Sequence, residues 1–340
     1  LPLHDALPIC QDSAAHTIAV HRAGTAPPIL TQHARPDFRP YLHPLVAPDG
    51  KGVLTEYSPG HHKHQTGLYW GFTRVNGRDY FHNPANDHWR RVAVAPVIAA
   101  GKAVRWATVY QLLDAARQPI MLETQTWTLR DFGDRYLLDL EWKGQGLVDV
   151  TVARYDYGGL FLRMPWRNGM EGAAVNSQGQ RNAKANGQRA RWVDVGMKVD
   201  GREDLAHIAI FDHPGNGGHP LPWRVDAMMG IGPSRAIAGD WHITKGEVET
   251  IRHQFLVYTG TLDARMLTRR GRSTRRIVSA RRRRDAPKGG RFGARVGCRR
   301  SRDSRSFRLR AVGGAWPHPG AGETREDSVL VGGRPMGSVR

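Results

Sequence analysis

Three histidines fall within four residues in Gly60-His61-His62-Lys63-His64-Gln65-Thr66-Gly67-Leu68-Tyr69-Trp70-Gly71, directly ahead of an aromatic, strand-like stretch. Imidazole is the side chain best suited to move protons near pH 7, and a neighbouring pair can bind a metal or hold an anionic oxygen. If the chain is extended from Gly60 onward, alternation sends His62 and His64 to one face and His61 and Lys63 to the other. His62 and His64 are therefore the candidate pair, and each use needs a partner from elsewhere in the chain.

Two further groups could supply that partner. In Met121-Leu122-Glu123-Thr124-Gln125-Thr126-Trp127-Thr128-Leu129-Arg130, the positions Thr124, Thr126, Thr128 and Arg130 make a polar face, which leaves Glu123 with Met121, Trp127 and Leu129 on the apolar one. A carboxylate there must be paired, coordinate a metal or stand in a cavity, because an unpaired buried charge costs several kcal/mol. A salt bridge to an arginine is the bland alternative. The second group is the Gly/Pro-rich loop Phe211-Asp212-His213-Pro214-Gly215-Asn216-Gly217-Gly218-His219-Pro220, which offers Asp212, His213, Asn216 and His219 at the end of a strand. It reads equally as a tight turn in which Asp212 caps backbone amides. Tyr69, Trp70, Trp192 and Trp223 can line a pocket, though each alone fits a core.

The elements that must position these residues are strands. Tyr136, Leu138, Leu140 and Trp142 share one face, and Ile251, His253, Phe255 and Val257 share another. Val75-Asn76-Gly77-Arg78 has the Asn-Gly pair of a two-residue hairpin and is expected to join strands Gly67–Val75 and Arg78–His82. Phe132-Gly133-Asp134, Lys143-Gly144-Gln145-Gly146, Val199-Asp200-Gly201 and Lys245-Gly246 punctuate the rest, and only Val109 to Arg117 is predicted helical. Many short antiparallel strands without interleaved helices predict an all-β fold, a large antiparallel β-sandwich.

The net charge of +19 has two unequal sources. Residues 264–340 hold 22 Lys and Arg against 5 Asp and Glu, whereas residues 1–263 hold 28 against 26. The body is nearly neutral, so the charge gives no reason to expect nucleic acid as its partner. The tail is rich in Arg, Gly, Ser and Ala, has no sustained period, and is predicted disordered. Its composition resembles an out-of-frame translation, and Leu1 to Ile9 resembles a translated sequencing adapter. The expected organisation is 1–10 as an artefact, 11–263 as one β-sandwich domain and 264–340 as the tail. Both cysteines, Cys10 and Cys298, lie in the outer segments. No apolar run approaches the roughly 18 residues of a membrane span, so a soluble protein of undefined compartment and no membrane partner are expected.

Taken in order, Arg39-Pro40-Tyr41-Leu42-His43-Pro44-Leu45, the stretch from His62 to Trp70 closing at Val75-Asn76-Gly77, the Phe211-Asp212-His213-Pro214 loop with Trp223, and Phe255-Leu256-Val257-Tyr258 resemble a bacterial family of unknown function long labelled methane oxygenase PmoA. The resemblance spans about residues 35–262. Gln65 stands where that family usually has a second histidine, and His61 where it commonly has an aspartate. The resemblance implies a sandwich similar to galactose mutarotases; methane oxidation is not expected, because the membrane subunit behind that label is multi-helical whereas this chain has a β pattern and no membrane span. The leading expectation is acid/base chemistry on a sugar or sugar-derived ligand, with His62, His64, Glu123 and His213 catalytic. Tyr69, Trp70, Arg163, Trp192, Asp212, Asn216, His219 and Trp223 would bind the ligand. A metal-assisted variant would use His62 and His64 as ligands to a divalent ion, with Glu123 or His213 as the third. The alternative is a non-catalytic glycan-binding or structural sandwich.

Overall fold

The computed structural model describes residues 7–82, 86–100 and 103–271, with backbone alone at 96–100. These residues fall within one compact unit. Its strands, in chain order, are β1 (Ile9–Asp12), β2 (Thr17–Val20), β3 (Leu30–His33), β4 (Tyr41–Leu45), β5 (Leu68–Gly71), β6 (Trp89–Ala100), β7 (Ala103–Leu113), β8 (Pro119–Asp131), β9 (Tyr136–Gly146), β10 (Val150–Val152), β11 (Gly159–Leu162), β12 (Gly172–Asn176), β13 (Trp192–Met197), β14 (Ala206–Asp212), β15 (Trp223–Val225), β16 (Ile231–Pro233), β17 (Trp241–Ile243) and β18 (Val248–Thr259). One eight-stranded sheet runs β1-β2-β3-β4-β5-β11-β16-β15, the other β12-β13-β14-β18-β9-β8-β7-β6, and β10 pairs with β17. Neighbouring strands are antiparallel throughout.

Alternation decides what each sheet buries. Leu42, Leu68, Trp70, Leu160 and Leu162 of the first sheet share one apolar cluster with Trp127, Leu138, Leu140, Trp142, Ile208, Ile210, Ile251 and Phe255 of the second. Trp70 stacks on Trp142 with centroids 4.9 Å apart, so these two indoles join the layers. The fold is the expected large antiparallel β-sandwich. On the far face of the second sheet a smaller cluster, Leu137, Trp192, Ala209, Phe211, Leu256 and Tyr258, is covered by a helical turn at 264–271 through Leu267.

Several local expectations are corrected. Residues 58–65 form a turn rather than an extended strand: Ser58 N–H donates to Gln65 O, Gln65 N–H to His62 O and His62 N–H to Pro59 O. Asn76 and Gly77 take the left-handed φ of 48° and 81° that the hairpin needs. The flanking segment 78–82 is not a strand, because the Asp79 carboxylate takes the backbone N–H groups of Phe81 and His82 and bends it. Val109–Leu113 is the end of β7, whose Val104, Trp106, Thr108, Tyr110 and Leu112 are buried at every second position. In the β1–β2 pair, Ile9 and Cys10 lie opposite Val20 and Ala19. The folded region continues to 271, and the arginine-rich stretch beyond lies outside the described residues.

Candidate functional site

On the first sheet, the residues that alternate away from the core are aromatic. Tyr41, Tyr69 and Phe161 lie opposite one another across β4, β5 and β11, and Phe81 joins them from the loop after the hairpin turn. Arg39 is fully buried with its guanidinium 4.0 Å from the Tyr69 ring centre, and it donates to the carbonyls of Phe81 and His64. One arginine thus fixes both loops that rise over the aromatic floor. Arg163, on the other side, donates to Gln65 Oε1, to Met228 O and, at 2.6 Å, to Asp226 Oδ2. Gln65, which replaces an imidazole in the resemblance, is a buried clamp on Arg163. Between these anchors lies a cavity of about 210 Å³ lined by His62, His64, Gln65, Phe81, His82, Tyr157, Phe161, Arg224 and Asp226.

The turn brings His62 and His64 together, with ring centroids 5.8 Å apart, and leaves His61 and Lys63 exposed. The pairing drawn from strand alternation therefore arises from a turn. His61 and His62 also approach at Nδ1 to Nδ1, 2.6 Å, so one proton lies between them. Burial and the charge of Arg163 lower the His62 pKa. Burial, the neighbouring His82 and Arg39 bring His64 down to about 3, so it is a neutral acceptor at pH 7 and not an imidazolium acid. His82 sits 4.4 Å from His64, centroid to centroid. Its Nδ1 lies 2.6 Å from Asp79 Oδ2, which assigns the proton to Nδ1 and leaves Nε2 to accept from Tyr157 O–H at 3.3 Å. Burial would raise the Asp79 pKa, but hydrogen bonds from the His82 ring and from the backbone of His82 and Phe81 hold it low. The row Asp79, His82, Tyr157 can carry a proton to or from a cavity ligand.

The other predicted residues lie elsewhere. Trp70 and Tyr69 are consecutive on β5 and point to opposite sides of the first sheet, Trp70 into the inter-sheet core and Tyr69 to the aromatic floor. Glu123 belongs with Trp70: it is 1% exposed and accepts from Trp142 Nε1 at 2.8 Å and Gln125 Nε2 at 2.9 Å. Burial raises its pKa to about 7, against the pull of those two hydrogen bonds. It is on the apolar face, as alternation required, but the first sheet separates it from the histidine cavity. Asp212 accepts from His219 Nδ1 at 2.7 Å and from Asn216 Nδ2 and Leu221 N–H at 2.8 Å. Asn216 is bonded in turn to both backbone groups of Arg252. That loop closes on itself in the capping arrangement. His213 instead borders an open groove of about 490 Å³ on the second sheet with Arg105, Thr126, Thr128, Arg130, Asp139, Glu141, Arg252 and Gln254. Burial and Arg252 lower its pKa. Trp192 packs on the far face of the second sheet, and Trp223 donates to Ala190 O from the core. The three groups do not converge. Of the predicted residues, His62, His64, Arg163 and Tyr69 meet, and the sequence reading missed Asp79, His82, Tyr157, Arg224 and Asp226. Among the described residues no group of three or more His, Cys, Asp or Glu side chains is arranged to hold a metal ion, so His62 and His64 lack a third ligand there. Nor is any described helix long and apolar enough to cross a membrane.

A family model described as a family of unknown function, DUF6807, matches residues 27–270. No curated protein matches the chain significantly. Among solved structures the chain is similar to an alpha-galactosidase from Geobacillus stearothermophilus, at 9% identity and TM-score 0.40, over 75% of this chain and 41% of that one. It is also similar to the Slr1438 protein from Synechocystis, at 8% identity and TM-score 0.33, over 76% and 96% of the two chains. A galactose mutarotase related enzyme from Lactobacillus acidophilus follows at 7% identity and TM-score 0.31, over 68% and 98%. The chain spans about two fifths of the alpha-galactosidases it matches. At such identities and scores these likenesses do not extend to chemistry.

Proposed function

We propose a function for this chain, which belongs to the family of unknown function DUF6807: it binds a monosaccharide-sized sugar or sugar-derived ligand in the histidine cavity and performs acid–base chemistry on it. The observation that carries the reading is the cavity itself. Phe81 and Phe161 give it an apolar floor and His62, His64, His82, Tyr157, Arg224 and Asp226 a polar wall. A sugar ring has the matching anatomy, C–H groups on its faces and hydroxyls at its edge. At about 210 Å³ the cavity is below the ~300–1,000 Å³ that take drug-sized ligands, which favours one ring over a chain of them.

In this reading His64, neutral at pH 7 and half-buried beside the floor, accepts a hydrogen bond that orients a ligand hydroxyl. Tyr157 is the proton site. A ligand hydroxyl gives its proton to Tyr157 as the Tyr157 proton passes to His82 Nε2, the imidazolium so formed faces Asp79, and the same row returns the proton to a ligand oxygen to close the cycle. Glu123, His213 and the 212–219 loop have no part in it. Proton NMR in D2O on a panel of aldoses, ketoses and sugar acids tests the reading through ring opening, epimerisation, elimination and deuterium uptake. Turnover should vanish in His64→Ala and Tyr157→Phe and persist in His213→Ala. Turnover that survives both cavity variants, or a panel that is neither bound nor turned over, would overturn it. The groove on the second sheet, larger and lined by strand-borne polar groups, favours the alternative of non-catalytic glycan binding. In that case oligosaccharide affinity would depend on Arg105 and His213 and not on His64.

A further inference from the structure

Two arginines reach the cavity wall, and their charges are not equally matched. Arg163 is fully buried and all three of its nitrogens have acceptors, Gln65 Oε1, Met228 O and Asp226 Oδ2. Asp226 is equally occupied: Oδ2 takes Arg163, and Oδ1 takes the backbone N–H groups of Met228 and Gly230. The pair is therefore electrically closed. Asp79 is engaged by the His82 ring and two backbone N–H groups. Arg224 differs. It stands on β15 between the buried Trp223 and Val225, so alternation turns it alone toward the cavity. It is half-buried, and its guanidinium carbon lies 5.7 Å from the Tyr157 ring centre. Among the described residues no hydrogen bond or ion pair engages its side chain.

Its guanidinium lines the cavity with no protein counter-ion among the described residues and is open to an anionic ligand. Its planar fork of donors fits a carboxylate, with two parallel N–H···O bonds. Asp226, the carboxylate that lines the cavity, is already neutralised by Arg163 and two backbone N–H groups. From this we infer that the natural ligand is an acid sugar, a uronate or related sugar carboxylate, with its carboxylate on Arg224 and its ring on the Phe81 and Phe161 floor. The inference rests on the reading of this cavity as a sugar site and adds the class of sugar.

Calorimetric titration of the full chain with D-glucuronate and D-galacturonate, against D-glucose and D-galactose, tests it. The uronates should bind about tenfold or more tightly than the neutral sugars, and on Arg224→Gln the two classes, measured side by side, should bind with equal affinity. Because Arg224 has no ion-pair partner among the described residues to lose, this variant should keep the wild-type melting temperature. On the wild-type protein, added salt should weaken uronate binding and leave neutral-sugar binding unchanged, a readout that needs no variant. Equal affinity for both sugar classes would sink the acid-sugar inference and leave the sugar reading standing. Binding of neither class would sink both. Acetate or inorganic phosphate competing as well as a uronate would also overturn the inference, since a bare anion site has no use for the ring.

Discussion

Glu123→Gln should stabilise the protein, by a margin that grows as pH rises from about 4.5 to 7. The carboxyl lies between the sheets with Trp142 and Gln125 as partners and no cation beside it, and it ionises at about 7 in the fold against an ordinary value of 4.5. Its folded-state pKa is raised, so folding takes up a proton between pH 4.5 and 7. The contribution of this group is therefore fully present below pH 4.5 and is lost as pH rises through 7. Converted at about 1.4 kcal/mol per pH unit, the loss is about 3 kcal/mol. Glutamine keeps the shape and still accepts from Trp142 Nε1, and the Gln125 amide can turn to offer it an oxygen. Urea unfolding followed by tryptophan fluorescence at pH 4, 5, 6, 7 and 8 should give variant and wild type within about 1 kcal/mol at pH 4. The variant should then lead by a growing margin, about 3 kcal/mol at pH 8. The histidines titrate in both proteins and cancel in the difference. A difference that stays flat with pH, or a variant less stable at pH 8, would refute the placement of Glu123 as an unpaired core carboxyl.

Two predictions concern other buried groups. A Cβ at Gly230 would lie 2.5 Å from Arg163 Nη2 and from Asp226 Oδ2 and 2.6 Å from Phe161 Cζ. Gly230→Ala should therefore cost about 1–3 kcal/mol by overpacking and abolish ligand binding by spreading the Arg163–Asp226 pair, both read from urea midpoints and a uronate titration. His253 is fully buried 6.1 Å from Trp70, and burial lowers its pKa to about 4. A depressed histidine contributes stability above its unfolded pKa, near 6.5, that is lost as pH falls through 4. His253→Leu should accordingly reduce acid destabilisation between pH 6.5 and 4 by about 3 kcal/mol in the same unfolding assay.

What could be read from the sequence was whatever depends on local period. The faces of β9 and β18, the Asn76-Gly77 turn and the burial of Glu123 all follow from residues spaced two apart. The apolar cluster at the end of β7 was misread as helix because Tyr110, Leu112 and Leu113 sit close enough to satisfy either period. The turn at 58–65 departs from the extended reading from Gly60 onward because Ser58, at φ 51°, already begins a reversal. The site was only half legible. His62 and His64 are close in sequence, but His82, Tyr157 and the pair Arg224 and Asp226 reach the same cavity from three separate segments. Their meeting depends on β5, β11, β16 and β15 being neighbours in one sheet, a non-local fact. The same fact excludes Glu123, whose residue type and face gave no sign of which side of the first sheet it would occupy.

The central claim is that the ligand sits over Phe81 and Phe161 among His62, His64 and His82, and not at the 212–219 loop. Titrating the protein, labelled with nitrogen-15 in its histidine rings, with D-glucuronate tests this most directly. The ring signals of His62, His64 and His82 should shift together and saturate with one affinity, while those of His213, His219 and His253 stay in place. Saturable shifts at His213 and His219 with the cavity histidines unmoved would contradict it.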